Sequence, residues 1–138
     1  MNFRPYKFNS RIFFYVSGSC LLLLSGMFLL SGIVGLLYGE RESVYFAYAF
    51  AIVALIGGLV AYGNRNFHTN ISKKDGRLIV GLMWILIPLF GALPYAFDAK
   101  DFTLTDAIFE SYSGYTTTGA SILDDVEKAF PYYADVAK

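Results

Sequence analysis

Residues 103–121, TLTDAIFESYSGYTTTGAS, decide the fold class of the chain. Thr103-Leu104-Thr105-Asp106 has the S/T-x-x-D/E spacing of a capping box, in which the threonine accepts from a backbone N–H and Asp106 sits in the positive first turn of a helix. Leu104, Ala107, Ile108 and Tyr112 recur at three to four residues and predict one apolar face, with Glu110 on another face, against a polar wall or water. Ser113-Gly114 predicts the helix end, with the glycine in a left-handed conformation. A helix of about ten residues is about 15 Å long, half the ~30 Å apolar core of a bilayer. At membrane depth, a half-length helix followed by irregular polar backbone is tolerated only where protein or water surrounds it.

The preceding residues do have the composition of membrane. Of 138 residues, 56% are hydrophobic, 18% aromatic and only 16% charged, too apolar for an ordinary soluble domain. The first apolar run, residues 12–37, is about 26 residues long and exceeds the 7–15 of a signal-peptide core, so it is expected to be a retained span. Gly18, Gly26, Gly32 and Gly35 interrupt it, and Ser31 with Gly35 forms a small-xxx-small pair suited to close helix contact. A polar turn at 39–43 (GERES) leads to a second span at 44–62. There Ala47/Ala51, Ala54/Gly58 and Gly57/Ala61 predict a smooth packing face, and Tyr45, Tyr48 and Tyr62 lie toward the ends, at headgroup level. A third span is expected at 78–97, with Asp75 as its cap, a kink at Pro88 and its outer end at Pro94. Trp84 within it is read as a lipid or core contact.

Charge sets the expected orientation. Arg4, Lys7 and Arg11 precede the first span without an acid, and Arg65, Lys73, Lys74 and Arg77 stand against Asp75 alone between the second and third. Both segments therefore read as cytoplasmic, which puts the amino terminus inside and brings the chain to the outer face after Phe97. Beyond that point Asp98, Asp101, Asp106, Glu110, Asp124, Asp125, Glu127 and Asp135 outnumber Lys100, Lys128 and Lys138. Either outer loops simply lack basic residues, or the acids form a vestibule that concentrates cations; composition alone does not choose. The zero net charge and the lack of a basic block argue against nucleic acid. Cys20, a lone cysteine in an apolar run, cannot build a disulfide framework, and His68, the single histidine, falls in a polar loop without metal-ligand partners. There is no P-loop, HExxH, CxxC or nucleophile elbow, so an enzyme is not expected.

The chemistry is expected just past the short helix. Its carboxyl end carries partial negative charge and favours a cation beyond it. Residues 115–121 (YTTTGAS) follow directly. Backbone carbonyls can replace a cation's hydration shell without the desolvation penalty of a carboxylate, threonine adds hydroxyls, and Gly119 can reach positive φ to turn carbonyls toward one axis. The candidate binding residues are Thr116, Thr117, Thr118 and Gly119, with Thr103, Asp106, Glu110 and Gly114 as helix cap and support.

SKKDGRLIVGLMWILIPLFGALPYAF (72–97) followed by DAIFESYSGYTTTGASIL (106–123) resembles the amino-terminal part of the Trk/Ktr/HKT potassium-transporter superfamily, most closely its bacterial Trk-type membrane subunits. The resemblance implies an all-α integral membrane fold of four repeats of helix, pore helix, filter and helix in one polypeptide. Residues 12–37 and 44–62 would be two leading helices, 78–97 the first helix of the first repeat, 104–113 its pore helix and 116–120 its filter strand, with Gly119 as the filter glycine. The corresponding divisions are 1–63, 64–77, 78–121 and an outer tail, 122–138. It further implies potassium as transported substrate with no cofactor, symport-type uptake, lipid contact in a bacterial inner membrane, a homodimer of the complete subunit and a cytosolic dinucleotide-binding regulatory subunit. Residues 130–138 (FPYYADVAK) do not become the next apolar helix, so a truncated, split or frame-shifted product is expected. One repeat supplies a quarter of a coordination ring and is not expected to conduct alone. The alternative is a non-conducting membrane subunit that assembles through its small-residue faces.

Overall fold

The computed structural model describes residues 10–66, 73–98 and 103–122. His68, Arg4, Lys7, Lys100, Asp101 and the acidic tail after Ile122 lie outside these. The described residues form five helices and no strand: α1 (Ser10–Tyr38), α2 (Ser43–Gly63), α3 (Lys73–Gly91), α4 (Leu93–Phe97) and α5 (Leu104–Tyr115). Three units are long and apolar enough to cross a membrane: α1, α2, and α3 with α4 as Lys73–Phe97. The expected spans at 12–37, 44–62 and 78–97 fall within them. α1 has 29 residues, about 43 Å, and must tilt or reach beyond a ~30 Å apolar core.

α1 and α2 form an antiparallel hairpin. α1 ends where Gly39, at φ 74°, sends its N–H to Leu36 O while Glu40 N reaches Gly35 O, a left-handed C-cap made by a residue with no Cβ to object. The helices then cross closely. Ala49, Val53, Gly57 and Ala61 are buried at four-residue spacing on α2, and Gly18, Leu21, Leu24 and Phe28 are buried on α1. A Cβ on Gly18 would lie 2.5 Å from Ala61 N and 2.7 Å from Gly57 O, so glycine is required there for the backbones to approach. The Gly57/Ala61 face is thus the packed one, whereas Ala47 and Ala51 are exposed. The buried stripe begins at Ala49 because the close approach is centred on Gly18, which selects one of several small-residue registers. Likewise Ser31 is exposed, and Gly32 and Gly35 make the contact with Phe46 and Ser43.

Buried serines carry no unpaired hydroxyl into this apolar packing. Ser17 donates to Phe13 O (2.7 Å) and Ser25 to Leu22 O (2.7 Å), each bond closed inside its own helix. Leu21, Leu24, Phe28, Ala49 and Val53 form the larger core cluster, against which Ile87, Phe90, Leu93 and Phe97 of α3–α4 pack; Ile12, Ile79 and Met83 form a second cluster. Elsewhere the surface is apolar: Leu23, Leu37, Leu55, Leu59 and Trp84 are all more than half exposed, as suits lipid or neighbouring protein and not water. At the carboxyl end of α2 the Arg65 guanidinium sits 4.1 Å over the Tyr62 ring, consistent with an interfacial position.

The third unit departs from the expected single span. α3 starts at Lys73, so Asp75 lies buried in its first turn and is not the cap. Pro88 is inside α3, and the break comes four residues later at Ala92, before Leu93 begins α4 with Pro94 in its first turn. Pro88 takes away the N–H that would bond Trp84 O, and its own carbonyl still accepts Ala92 N at 3.0 Å.

Candidate functional site

The capping box predicted for α5 is present. Thr103, at φ −77° and ψ 163°, accepts from Asp106 N through its Oγ1 (3.3 Å), and Asp106 Oδ2 accepts from Thr103 N (3.0 Å) and Thr103 Oγ1 (2.6 Å). These bonds from the Thr103 hydroxyl and then its backbone stabilise the ionised carboxylate and hold the Asp106 pKa below the ordinary aspartate value. The helix is 12 residues, about 18 Å, and remains well short of a span.

α5 docks on α3 and α4 through small and polar residues. Ala107, Ser111 and Ser113 are its buried positions, while Leu104, expected on the packed face, is 68% exposed. Ser111 Oγ donates to Pro88 O at 2.6 Å, sharing that carbonyl with Ala92 N, and Tyr112 Oη donates to Ile85 O at 2.9 Å. Gly91 clears the space: a Cβ there would lie 2.7 Å from Ser111 Oγ and 2.6 Å from the Tyr115 ring. Ser111 was not singled out from the sequence, and Ser113 was read only as part of the helix end, although Ala107/Ser111 obeys the same small-xxx-small spacing that marked α2.

The end of α5 differs from expectation. Gly114 remains helical, and the left-handed residue is Thr117, at φ 56°. Thr116 N bonds Tyr112 O (2.9 Å), Thr117 N bonds Gly114 O (3.2 Å) and Thr118 N bonds Ser113 O (3.0 Å). This is the same pair of closing bonds that ends α1, with threonine in the place of Gly39. Packing of the Tyr115 ring on Gly91 carries the helix past Gly114 and moves the left-handed position onto a β-branched residue, where it is strained.

The polypeptide then reverses. Thr116 Oγ1 bonds Tyr112 O (2.7 Å) and Thr118 Oγ1 (2.8 Å), and Gly119 turns at φ 71°. Ser113 Oγ donates to Ala120 O, and Glu110 Oε1 accepts from Ser121 Oγ (2.8 Å) and Ile122 N (2.6 Å). Residues 120–122 therefore run back beside α5, leaving 116–119 as an exposed tip at its carboxyl end. The structure thus joins Thr103 to Asp106 at one end of the helix, and brings Glu110 and the residues around Thr116–Gly119 together at the other.

Peptide geometry at the tip has a direction. All peptides are trans, so each C=O points opposite to the next residue's N–H. The N–H groups of Thr116, Thr117 and Thr118 all point back into α5, and the carbonyls of Tyr115, Thr116 and Thr117 consequently face away from it. φ alternates in sign from Thr116 (−86°) through Thr117 (56°) and Thr118 to Gly119 (71°). Among the described residues no group of three or more His, Cys, Asp or Glu side chains could hold a metal ion; the oxygens of the tip itself, residues 116–119, are those of backbone and threonine hydroxyls.

Three helices of spanning length, then a capped half-helix whose chain doubles back along it, define a multi-span membrane protein with a half-helix hairpin. The chain is, more particularly, similar to Trk system potassium uptake proteins over most of its length. It is 36% identical over 122 residues to the Trk system potassium uptake protein TrkH of Salmonella typhimurium, covering 86% of this chain and 25% of that protein. With the Trk system potassium uptake protein TrkG of Escherichia coli K12 it shares 34% over 127 residues, 89% of this chain and 26% of the other. The crystal structure of the potassium transporter TrkH from Vibrio parahaemolyticus superposes with a TM-score of 0.77 at 34% identity, over 83% of this chain and 25% of that one. The chain spans about a quarter of the length of the curated relatives it matches. No protein-family model matches it.

Proposed function

We propose that this chain forms one wall of the ion pathway of a potassium uptake transporter, with the tip at Thr116, Thr117, Thr118 and Gly119 offering oxygens to a dehydrated potassium ion. The observation that carries this is the direction of the peptides: three consecutive N–H groups are tied to the end of α5, which turns the carbonyls of Tyr115, Thr116 and Thr117 outward together. Carbonyls fixed in this way can substitute for a hydration shell, and the negative end of α5 lies directly behind them. Thr103 and Asp106 anchor the far end of the half-helix, and Gly114 O accepts the Thr117 N–H that closes its last turn. Basic residues flanking α1 and α3 orient the amino terminus toward the cytoplasm and the Thr103 end of α5 outward, in a bacterial inner membrane.

A coordination ring requires further walls, so residues 78–121 act as the first of several repeats behind the two leading helices. The likeness to Trk-system subunits extends the proposal to a homodimer of complete subunits and to a cytosolic dinucleotide-binding regulator. The test is a chimaera in which this chain replaces the matched quarter of a Trk-type relative, in cells deficient in potassium uptake. Gly119→Asp is expected to abolish growth on low potassium and uptake of rubidium. A Cβ at Gly119 meets nothing within 4 Å, so the loss would report the backbone turn and the added charge, not a clash with the protein. Unchanged uptake by a well-expressed variant overturns the assignment.

A further inference from the structure

We infer that Glu110 and Ser113 are positioning residues that clamp the return arm of the loop to α5, and that Glu110 thereby sets ion specificity. This rests on the pore-loop reading above. Glu110 and Ser113 are three residues apart and lie on one face of the helix. Each holds a successive part of the arm: Ser113 Oγ donates to Ala120 O, while one oxygen of Glu110 accepts both Ser121 Oγ (2.8 Å) and Ile122 N (2.6 Å). The three contacts span seven, eleven and twelve residues of sequence, so they close the loop as a whole.

Two consequences follow from the peptide planes. Ala120 O points into the helix at Ser113 and is withdrawn from any ion facing the tip, so the run of available oxygens stops at Gly119. Ile122 N points at Glu110, so Ser121 O faces away from that carboxylate. The oxygens between Thr116 and Gly119 are thus fixed at one end by the helix cap and at the other by the clamp. A cage whose oxygens cannot close around the smaller of two cations favours the larger, and a carboxylate accepting two donors is the stronger of the two restraints.

The experiment compares Glu110→Ala, Glu110→Gln and Ser113→Ala in the chimaera, reading rubidium uptake in competition with sodium and lithium. Hydrogen exchange at the Ile122 amide is measured by NMR on this chain in micelles. Glu110→Ala is expected to reduce the preference for rubidium about tenfold and to speed Ile122 exchange by a similar factor, as loss of a charge-assisted bond would do. Glu110→Gln retains an acceptor oxygen and should recover most of both. Ser113→Ala should reduce the preference less, leaving Ile122 protected. An Ile122 amide unprotected in the parent chain overturns the clamp. A protected amide that Glu110→Ala exposes with no change in ion preference overturns the specificity role. A parent chimaera that takes up no rubidium overturns the pore reading and the specificity role that rests on it, while exchange still decides the clamp.

Discussion

Thr117→Gly should stabilise the protein. Thr117 holds φ 56° with the closing hydrogen bonds that glycine makes at Gly39. A left-handed backbone costs an L-residue about 1–2 kcal/mol, with β-branching at the upper end, and costs glycine nothing. Against this, glycine adds about 0.5–1 kcal/mol of conformational freedom to the unfolded chain. Thr117 is exposed and few contacts are lost with its side chain, which leaves a net gain of about 1–1.5 kcal/mol. The mirror change, Gly39→Thr, puts the same strain at the end of α1, where a Cβ meets nothing within 4 Å, and should destabilise by a similar amount. Both are measurable by reversible unfolding of the purified chain in mixed micelles. If Thr117→Gly destabilises, or Gly39→Thr is neutral, the strain assigned to the loop is not there. In the chimaera, Thr117→Gly should also weaken discrimination among cations, since the looser residue no longer fixes the direction of its carbonyl.

The helix crossing gives a paired test: Gly18→Ala should cost about 1–3 kcal/mol by forcing α1 from α2, whereas Gly26→Ala, with nothing within 4 Å of its Cβ, should be neutral or mildly stabilising in the same unfolding assay. Ser111→Ala should cost about 0.5–1 kcal/mol, at the modest end because Pro88 O keeps Ala92 N as a donor. The pKa of Asp106 is lowered on folding, so its contribution is complete above the unfolded value near ~4 and is lost as pH falls through the lower folded value. The Thr103 amide shift, followed by NMR during acid titration, should show that step in the parent chain and lose it in Asp106→Asn.

The spans were legible because about twenty consecutive apolar residues have few other uses, and the start of α5 because a capping box needs only residues three apart. The details that failed depend on partners distant in sequence. Spacing offered Ala47/Ala51 and Gly57/Ala61 equally, and only the approach of Gly18 chooses between them. Gly114 has the chemistry of a helix stop, but Tyr115 seated on Gly91 carries the helix beyond it. Glu110 could be assigned a face but not a partner, since Ser121 and Ile122 reach it only after the chain reverses. The position of Thr116–Gly119 was readable as composition; the outward turn of its carbonyls was not, because it depends on which N–H groups the helix end captures.

That capture binds two events into one. The bonds from Thr116, Thr117 and Thr118 that finish α5 also aim the carbonyls of Tyr115, Thr116 and Thr117, so none of these three can swing around without breaking a bond that closes the helix. A peptide flip at Thr117 would release Gly114 or Ser113 at the same moment, and the last turn would fray with it. Each of these three oxygens is therefore latched to its own closing bond, so turning one away loosens the helix end behind it.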